Sequence, residues 1–404
     1  MNLDKKILFV SVTVIILIIA TLYFLVTSGP EPLDSEIIWS KTFGGNKNEE
    51  GYYVLSTEDN GCIALGYTES YSNNFWDIYL IKIDENGDKE WEKNYGGDGN
   101  DYGKAIVQVD GGYLIAGTSN STGTRDIDYD AWVIKIDFDG NIIWDKTYGG
   151  IHEDRANSII ETSDGDFVIT GFTYSYGSKS ADLWAFKINS TGNETWNENY
   201  GGDKYDEGRS IVETNEGYVI AGETESYPKG SDNSNAWLFK ISKTGNSVWN
   251  QTFDGFGYDD LFNHITNADD GFIAVGHAEA ESYDQHSIGY IVITDENGET
   301  IVERTFDEDE EAGISSVAEA DDGYIVTGYI GPYGTGEGDI TVEKIDKSGR
   351  RVWLKTYGGN YSDAGVWIER GAGDNYFVTG YQDVEGNGFI DLWLLKLNAE
   401  LVGE

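Results

Sequence analysis

The chain has 404 residues, with 27 Lys and Arg against 72 Asp and Glu, a formal net charge of −45 and a single cysteine. So acidic a balance excludes a polyanionic partner, because nucleic-acid binding needs a basic surface that displaces counterions. The lone Cys62 excludes an intramolecular disulfide, so stability must come from packing, which a chain of this length can supply.

In chain order, Lys5 and Lys6 precede Ile7 to Val26, twenty residues without a charge. That run is long enough to cross a bilayer as a helix. We read 1–6 as a short cytoplasmic tail, 7–26 as a transmembrane signal anchor, 27–35 as a linker and 36–404 as one repeat domain. The alternative is a cleaved secretory signal, whose apolar core is shorter, roughly 7–15 residues. Both readings export the rest of the chain. Lysines before the span and Glu31, Asp34 and Glu36 after it place the N-terminus inside, which predicts a single-pass cell-membrane protein with its bulk outside the cytoplasm.

From residue 36 onward the chain repeats. Gly66, Gly117, Gly171, Gly222, Gly276, Gly328 and Gly380 close the same apolar phrase at intervals of 51 to 54 residues. One unit reads Lys104 to Val109, a turn at Asp110 to Gly112, Tyr113 to Gly117, a polar loop to Asp130, Ala131 to Ile136, a turn at Asp137 to Asn141, and Ile142 to Tyr148 before Gly149-Gly150. These are four short runs of β-branched and aromatic residues between Gly/Asn/Asp turns, hence a four-stranded antiparallel sheet. Both faces of the runs are apolar, which calls for neighbours on two sides, as in a ring of blades. The closing glycine is expected to permit close approach of a neighbouring sheet. Cys62 stands where the other units carry Tyr or Phe, four residues before the glycine, and is expected to pack in the core.

Tryptophans mark the fourth strands: Trp39, Trp91, Trp144, Trp196, Trp249 and Trp353, with Val302 in the sixth place. The run Ile37 to Phe43 precedes any complete unit, while the last three strands, Ala364 to Leu397, lack a fourth. The predicted fold is therefore all-β: a seven-bladed β-propeller of four-stranded antiparallel sheets, closed by the N-terminal strand in the last blade and preceded by one transmembrane helix.

The phrase Asp84-x-x-Gly87-x-x-x-Trp91, repeated as Asp137/Gly140/Trp144, Asn189/Gly192/Trp196, Ser242/Gly245/Trp249 and Asp346/Gly349/Trp353, resembles the tryptophan-docking motif of quinoprotein-type propellers. The wider unit is similar to repeats in secreted archaeal and bacterial β-propeller proteins. The quinoprotein resemblance implies eight blades, a vicinal cysteine pair and calcium held by acidic and amide groups. Seven blades and one cysteine set quinone catalysis aside, and fold is all the resemblance carries.

Calcium needs several oxygen ligands in a compact loop. Asp126, Asp128 and Asp130 alternate as such ligands do and are the candidate metal site. Asp84-x-Asn86-Gly87-Asp88 is a weaker version, since Asn-Gly is the preferred pair of a tight hairpin turn. An acidic residue recurs after the double glycine, at Glu49, Asp101, Asp154, Asp206 and Asp363, at Asp259 where Asp254 interrupts the pair, and approximately at Glu311 where the repeat shortens. Its regularity predicts a structural duty, accepting backbone N–H bonds between blades. The histidines, 152, 264, 277 and 286, lack metal-ligand spacing, and the seven arginines read as scattered. Sequons at Asn120, Asn189, Asn193, Asn250 and Asn360 permit glycosylation.

The connections between second and third strands are long and rich in Ser, Tyr, Asn, Gly and Asp. With the inter-blade loops they are expected to form one variable face, the predicted binding surface. The function read from the sequence is a membrane-anchored, extracytoplasmic, non-catalytic binding or scaffold module for a cell-surface protein or glycan. One alternative is a surface polysaccharide hydrolase or lyase using carboxylates such as Asp101, Asp154 and Asp206 as acid and base. The other is a structural envelope protein. No motif supports enzymatic activity, and calcium is the one cofactor suggested.

Overall fold

The computed structural model describes residues 36–398, apart from 73–74, 122–127, 178, 229–232, 256, 281–285, 307–310, 332–337, 360, 385 and 387. The predicted tail, membrane span and linker lie outside the described residues, and among the described residues no helix is long and apolar enough to cross a membrane.

The described residues form seven four-stranded antiparallel sheets. The second blade is typical: Asp101–Val109 is the inner strand, followed outward by Gly112–Ser119, Asp130–Ile136 and Ile142–Tyr148. Second and third strands are buried along both faces, as Phe167–Thr173 and Asp182–Ile188 illustrate. They are covered by the sheets before and after, which is why they read as continuous apolar runs. Outer strands alternate exposed and half-buried residues, because only one of their faces meets a neighbour. Cys62 is fully buried among these apolar side chains, as expected.

The strand Ile37–Phe43 is the outer strand of the sheet whose other members are Asp391–Asn398, Asn375–Gln382 and Asp363–Arg370, with Thr42 opposite Trp393. It begins at the face of the tight turns, where Asn398 N–H donates to Glu36 O at 2.9 Å, and ends at the face of the double glycines. Its Trp39 reaches the first blade, donating Nε1–H to Glu85 O at 3.1 Å. A Cβ at Gly87 would lie 2.9 Å from the Trp39 ring. Later blades repeat this packing: a Cβ at Gly192 would lie 2.9 Å from Trp144, and at Gly298 2.9 Å from Trp249. Gly87 sits at φ +83°, so the turn residue that accepts the indole is also one that favours glycine for its backbone.

Each inner strand carries a β-bulge at the same place. The pairing skips Tyr52, Lys104, Asn157, Arg209, Asn263, Ser315 and Val366 in blades one to seven. Directly across from the residue before each bulge stands the repeat glycine. A Cβ at Gly66 would fall 1.8 Å from Glu50 O, at Gly222 1.9 Å from Glu207 O and at Gly380 1.9 Å from Ala364 O. The glycines therefore admit the bulged strand of their own sheet. That corrects the expectation of close approach by a neighbouring sheet: the bulge presses a carbonyl over the glycine Cα, where no side chain fits.

Candidate functional site

The seven bulged residues all line one cavity of about 290 Å³ at the axis of the ring. A bulge leaves its residue without a ladder partner and turns it away from the sheet-to-sheet packing, which here means into the channel. Because each stands a few residues past the inter-blade loop, before or about midway along its inner strand, the cavity opens on the face of those loops. Its wall is unequal. Blades one to four contribute Tyr52, Lys104, Arg155, Asn157, Phe172, Glu207 and Arg209, whereas blades five to seven contribute Asn263, Ser315, Val366 and Trp367. Large and charged groups thus face small or apolar ones across an open space.

Three cations and one carboxylate line this bowl in a chain whose acids outnumber its bases well over twofold. Two of the seven arginines that read as scattered, Arg155 and Arg209, are gathered by the topology, which corrects the expectation for that pair. Arg209 Nη2 lies 3.0 Å from Glu207 and donates to Glu223 at 2.8 Å, while its buried Nε has no hydrogen-bond partner. Arg155 donates to Glu153 at 2.6 Å and lies over the Tyr129 ring at 4.8 Å. Among the described residues Lys104 has no ion pair; its Nζ stands 3.4 Å from the centre of the Tyr52 ring. Burial, with the Arg155 and Arg209 cations nearby, pulls the Lys104 amine down to about 7 against the opposing effect of Glu50 and Glu207. Behind this wall Tyr67, Tyr102 and Tyr129 form an aromatic arc, with successive ring centres 5.3 and 6.1 Å apart.

The floor of the bowl is aromatic. Trp367 stacks on Tyr53 at 4.0 Å and packs on His264 at 4.2 Å, separating the bowl from a recess of about 240 Å³ below. Burial pulls His264 down to about 3, so it is neutral, and its Nδ1 accepts the Val317 N–H at 3.1 Å.

The carboxylates after the double glycines are elsewhere, wedged between blades. Asp154 accepts the Gly150 N–H at 2.7 Å and the Ser175 hydroxyl at 2.6 Å; Asp206 accepts Gly202 N–H at 2.9 Å and Ser226 at 2.6 Å. Asp101, Glu49 and Asp363 do the same with Gly97, Gly45 and Gly359. The structural duty is borne out for these. In blade five the role belongs to Asp260, which accepts Gly255 N–H at 2.8 Å, because the loop is one residue longer; the expected Asp259 instead accepts the Ser234 N–H at 2.9 Å. In blade six Ala312 holds the place and Glu311 is one residue out of register. Asp101, Asp154 and Asp206 are fully buried, so they cannot meet a polysaccharide as an acid and base pair.

Of the candidate calcium ligands, Asp126 lies outside the described residues. Asp128 and Asp130 are half-buried, and Asp130 faces Asp154 across Gly149, where a Cβ would lie 2.5 and 2.6 Å from the two carboxylates. Burial first, then Asp154 and Asp128, push Asp130 up to about 6. Among the described residues no group of three His, Cys, Asp or Glu converges on a metal position. Asp84 Oδ1 accepts the Asn86 and Asp88 N–H groups at 2.9 Å each, the turn that the sequence favoured.

The long loops do share a face with the inter-blade loops. Tyr71, Tyr176 and Tyr227 donate to the carbonyls of Gly44, Gly149 and Gly201 at 2.8, 2.6 and 2.8 Å. The bowl lies at the centre of that face.

Fold and axial cavity define a seven-bladed β-propeller with a blind bowl at one end of its channel. No family model matches the chain, and no curated protein matches its sequence. Among solved structures it is similar to the WD40 domain of Neurospora crassa Pan2, at 10% identity over 91% of this chain and 98% of that one with a TM-score of 0.56. Polysaccharide lyase Uly1 matches at 10% identity over 88% and 91% with a TM-score of 0.52. Drosophila Plexin A, in complex with Semaphorin 1b, matches at 9% identity over 90% and 87% with a TM-score of 0.51. At such identities the likeness is one of fold alone.

Proposed function

We propose that the chain is a non-catalytic binding propeller, closed by its first strand, tethered outside the cytoplasm by the 7–26 anchor, and that its ligand seats in the axial bowl. The observation that carries this reading is the ring of seven bulges. A bulge repeated in every blade while its residue changes from Tyr to Lys, Asn, Arg, Asn, Ser and Val keeps the geometry and varies the chemistry, as a binding site does and a packing contact does not. The test is an array of glycans and peptides probed with the wild-type chain and with Ser315→Trp, which fills the open side. A signal lost in the variant, with an unchanged melting temperature, supports the bowl. A signal equal in both moves the site elsewhere, and no signal at all leaves the structural envelope role.

Calcium at Asp126, Asp128 and Asp130 belongs to the same proposal, as a brace between the second and third blades. Chelator should then lower the melting temperature of the wild type and leave Asp128→Asn unaffected; equal melting with and without chelator removes calcium from the account.

The second reading is a surface polysaccharide lyase or hydrolase. What favours it is the Lys104 amine, brought near neutrality beside two guanidinium groups and so suited to move a proton at neutral pH. Product release from an acidic polysaccharide, abolished in Lys104→Met, supports turnover; binding without product supports the first reading.

A further inference from the structure

We infer that the axial bowl takes an acidic sugar residue, its carboxylate or sulfate set against the Lys104 amine with Arg155 and Arg209 beside it, and its ring on the aromatic surface. This rests on the bowl being the ligand site.

The two guanidinium groups are anchored by Glu153, by Glu223 and by Glu207, which itself lines the bowl, so their positions are fixed before any ligand arrives. Lys104 is different: among the described residues it forms no ion pair, so a ligand oxyanion would be its first. The Arg209 Nε–H is buried without a hydrogen-bond partner, so that guanidinium is held through its terminal nitrogens. At a formal charge of −45 the rest of the chain repels anions, and at physiological salt that repulsion is screened beyond about 8 Å. The lining itself carries three cations against the one carboxylate of Glu207, with Glu153 and Glu223 matched to the arginines, so Lys104 is the charge an anion meets unpaired.

The remaining surface selects the body of the ligand. Tyr52, Phe172 and Trp367 offer aromatic area, and the free volume of about 290 Å³ suits a ring rather than a bare ion. The small groups at Ser315 and Val366 leave room on the far side for a chain of further residues.

The test is isothermal titration of the full chain in detergent with galacturonate, galactose 6-sulfate, galactose and inorganic sulfate. Saturable binding of galacturonate or the sulfated sugar, at least tenfold tighter than galactose and than inorganic sulfate, is expected, and the tighter of the two names the acidic group. Lys104→Met should weaken it tenfold or more while Lys104→Arg retains it, with melting temperatures near wild type as the check on folding. Galactose binding as tightly overturns the acidic preference yet leaves the bowl as the site. Inorganic sulfate binding as tightly overturns the sugar. If none of the four binds, the inference fails, and the bowl is judged separately by the Ser315→Trp comparison.

Discussion

Asp260 is the inter-blade carboxylate with the most proton affinity. Burial is the main cause, reinforced by Asp254 and Asp259 and only partly offset by the Gly255 N–H, and together they push it up to about 7; its Oδ1 has no hydrogen-bond partner. The folded state therefore holds this proton more tightly than the unfolded chain, where the ordinary value is 3.8. The contribution is present below about 4, is lost as pH rises toward about 7, and is flat above that. Asp260→Asn should raise unfolding free energy at pH 8 by on the order of 2 kcal/mol and give no gain at pH 4, read by urea denaturation at the two pH values. Equal effects at both would assign the gain to shape rather than charge. The sequence placed this role at Asp259, since a repeat counted from its glycines cannot reveal which loop holds one extra residue. Arg155 and Arg209 eluded sequence reading for a related reason: 54 positions apart, they meet only because successive inner strands surround one axis.

In the inner and second strands, bulge and glycine form a single device. Gly222→Ala would drive a methyl group into Glu207 O, a backbone atom that cannot swing aside, so we expect a loss of about 3 kcal/mol together with displacement of Arg209. Gly111→Ala is the control. Its φ of +78° is unfavourable for alanine, but nothing lies within 4 Å, and the cost should be about 1 kcal/mol without effect on the bowl. Urea denaturation of both variants, with ligand titration of the first, checks the pair. The glycine period was plain in the sequence because every blade needs the same missing Cβ. The bulge was not, because its side chain faces the channel and is free to be any residue type. Only spacing betrays it: each bulged residue precedes its glycine by 13 or 14 positions, from Tyr52 and Gly66 to Val366 and Gly380.

Over the whole molecule, the blade count and the assignment of the first strand to the last sheet followed from the spacing of tryptophans and from one surplus strand matching one deficit. Removing residues 36–43 would strip the last sheet of its outer strand, expose Leu392 and Leu394 on Asp391–Asn398, and remove the Trp39 contact with the first blade. We expect the truncated chain to melt well below the intact one and to lose hydrogen-exchange protection first in the seventh blade; identical melting would mean that the ring does not depend on that seam. The direction of the same strand has a further consequence. It starts at Glu36 on the tight-turn side and finishes beside the double glycines, so a chain arriving from a bilayer would enter at the underside of the disc. Were residues 27–35 the linker to a membrane anchor, they would span at most about 30 Å. A disc held that close, mouth upward, would offer its cup to polymers in the surrounding medium and keep it averted from lipid head groups.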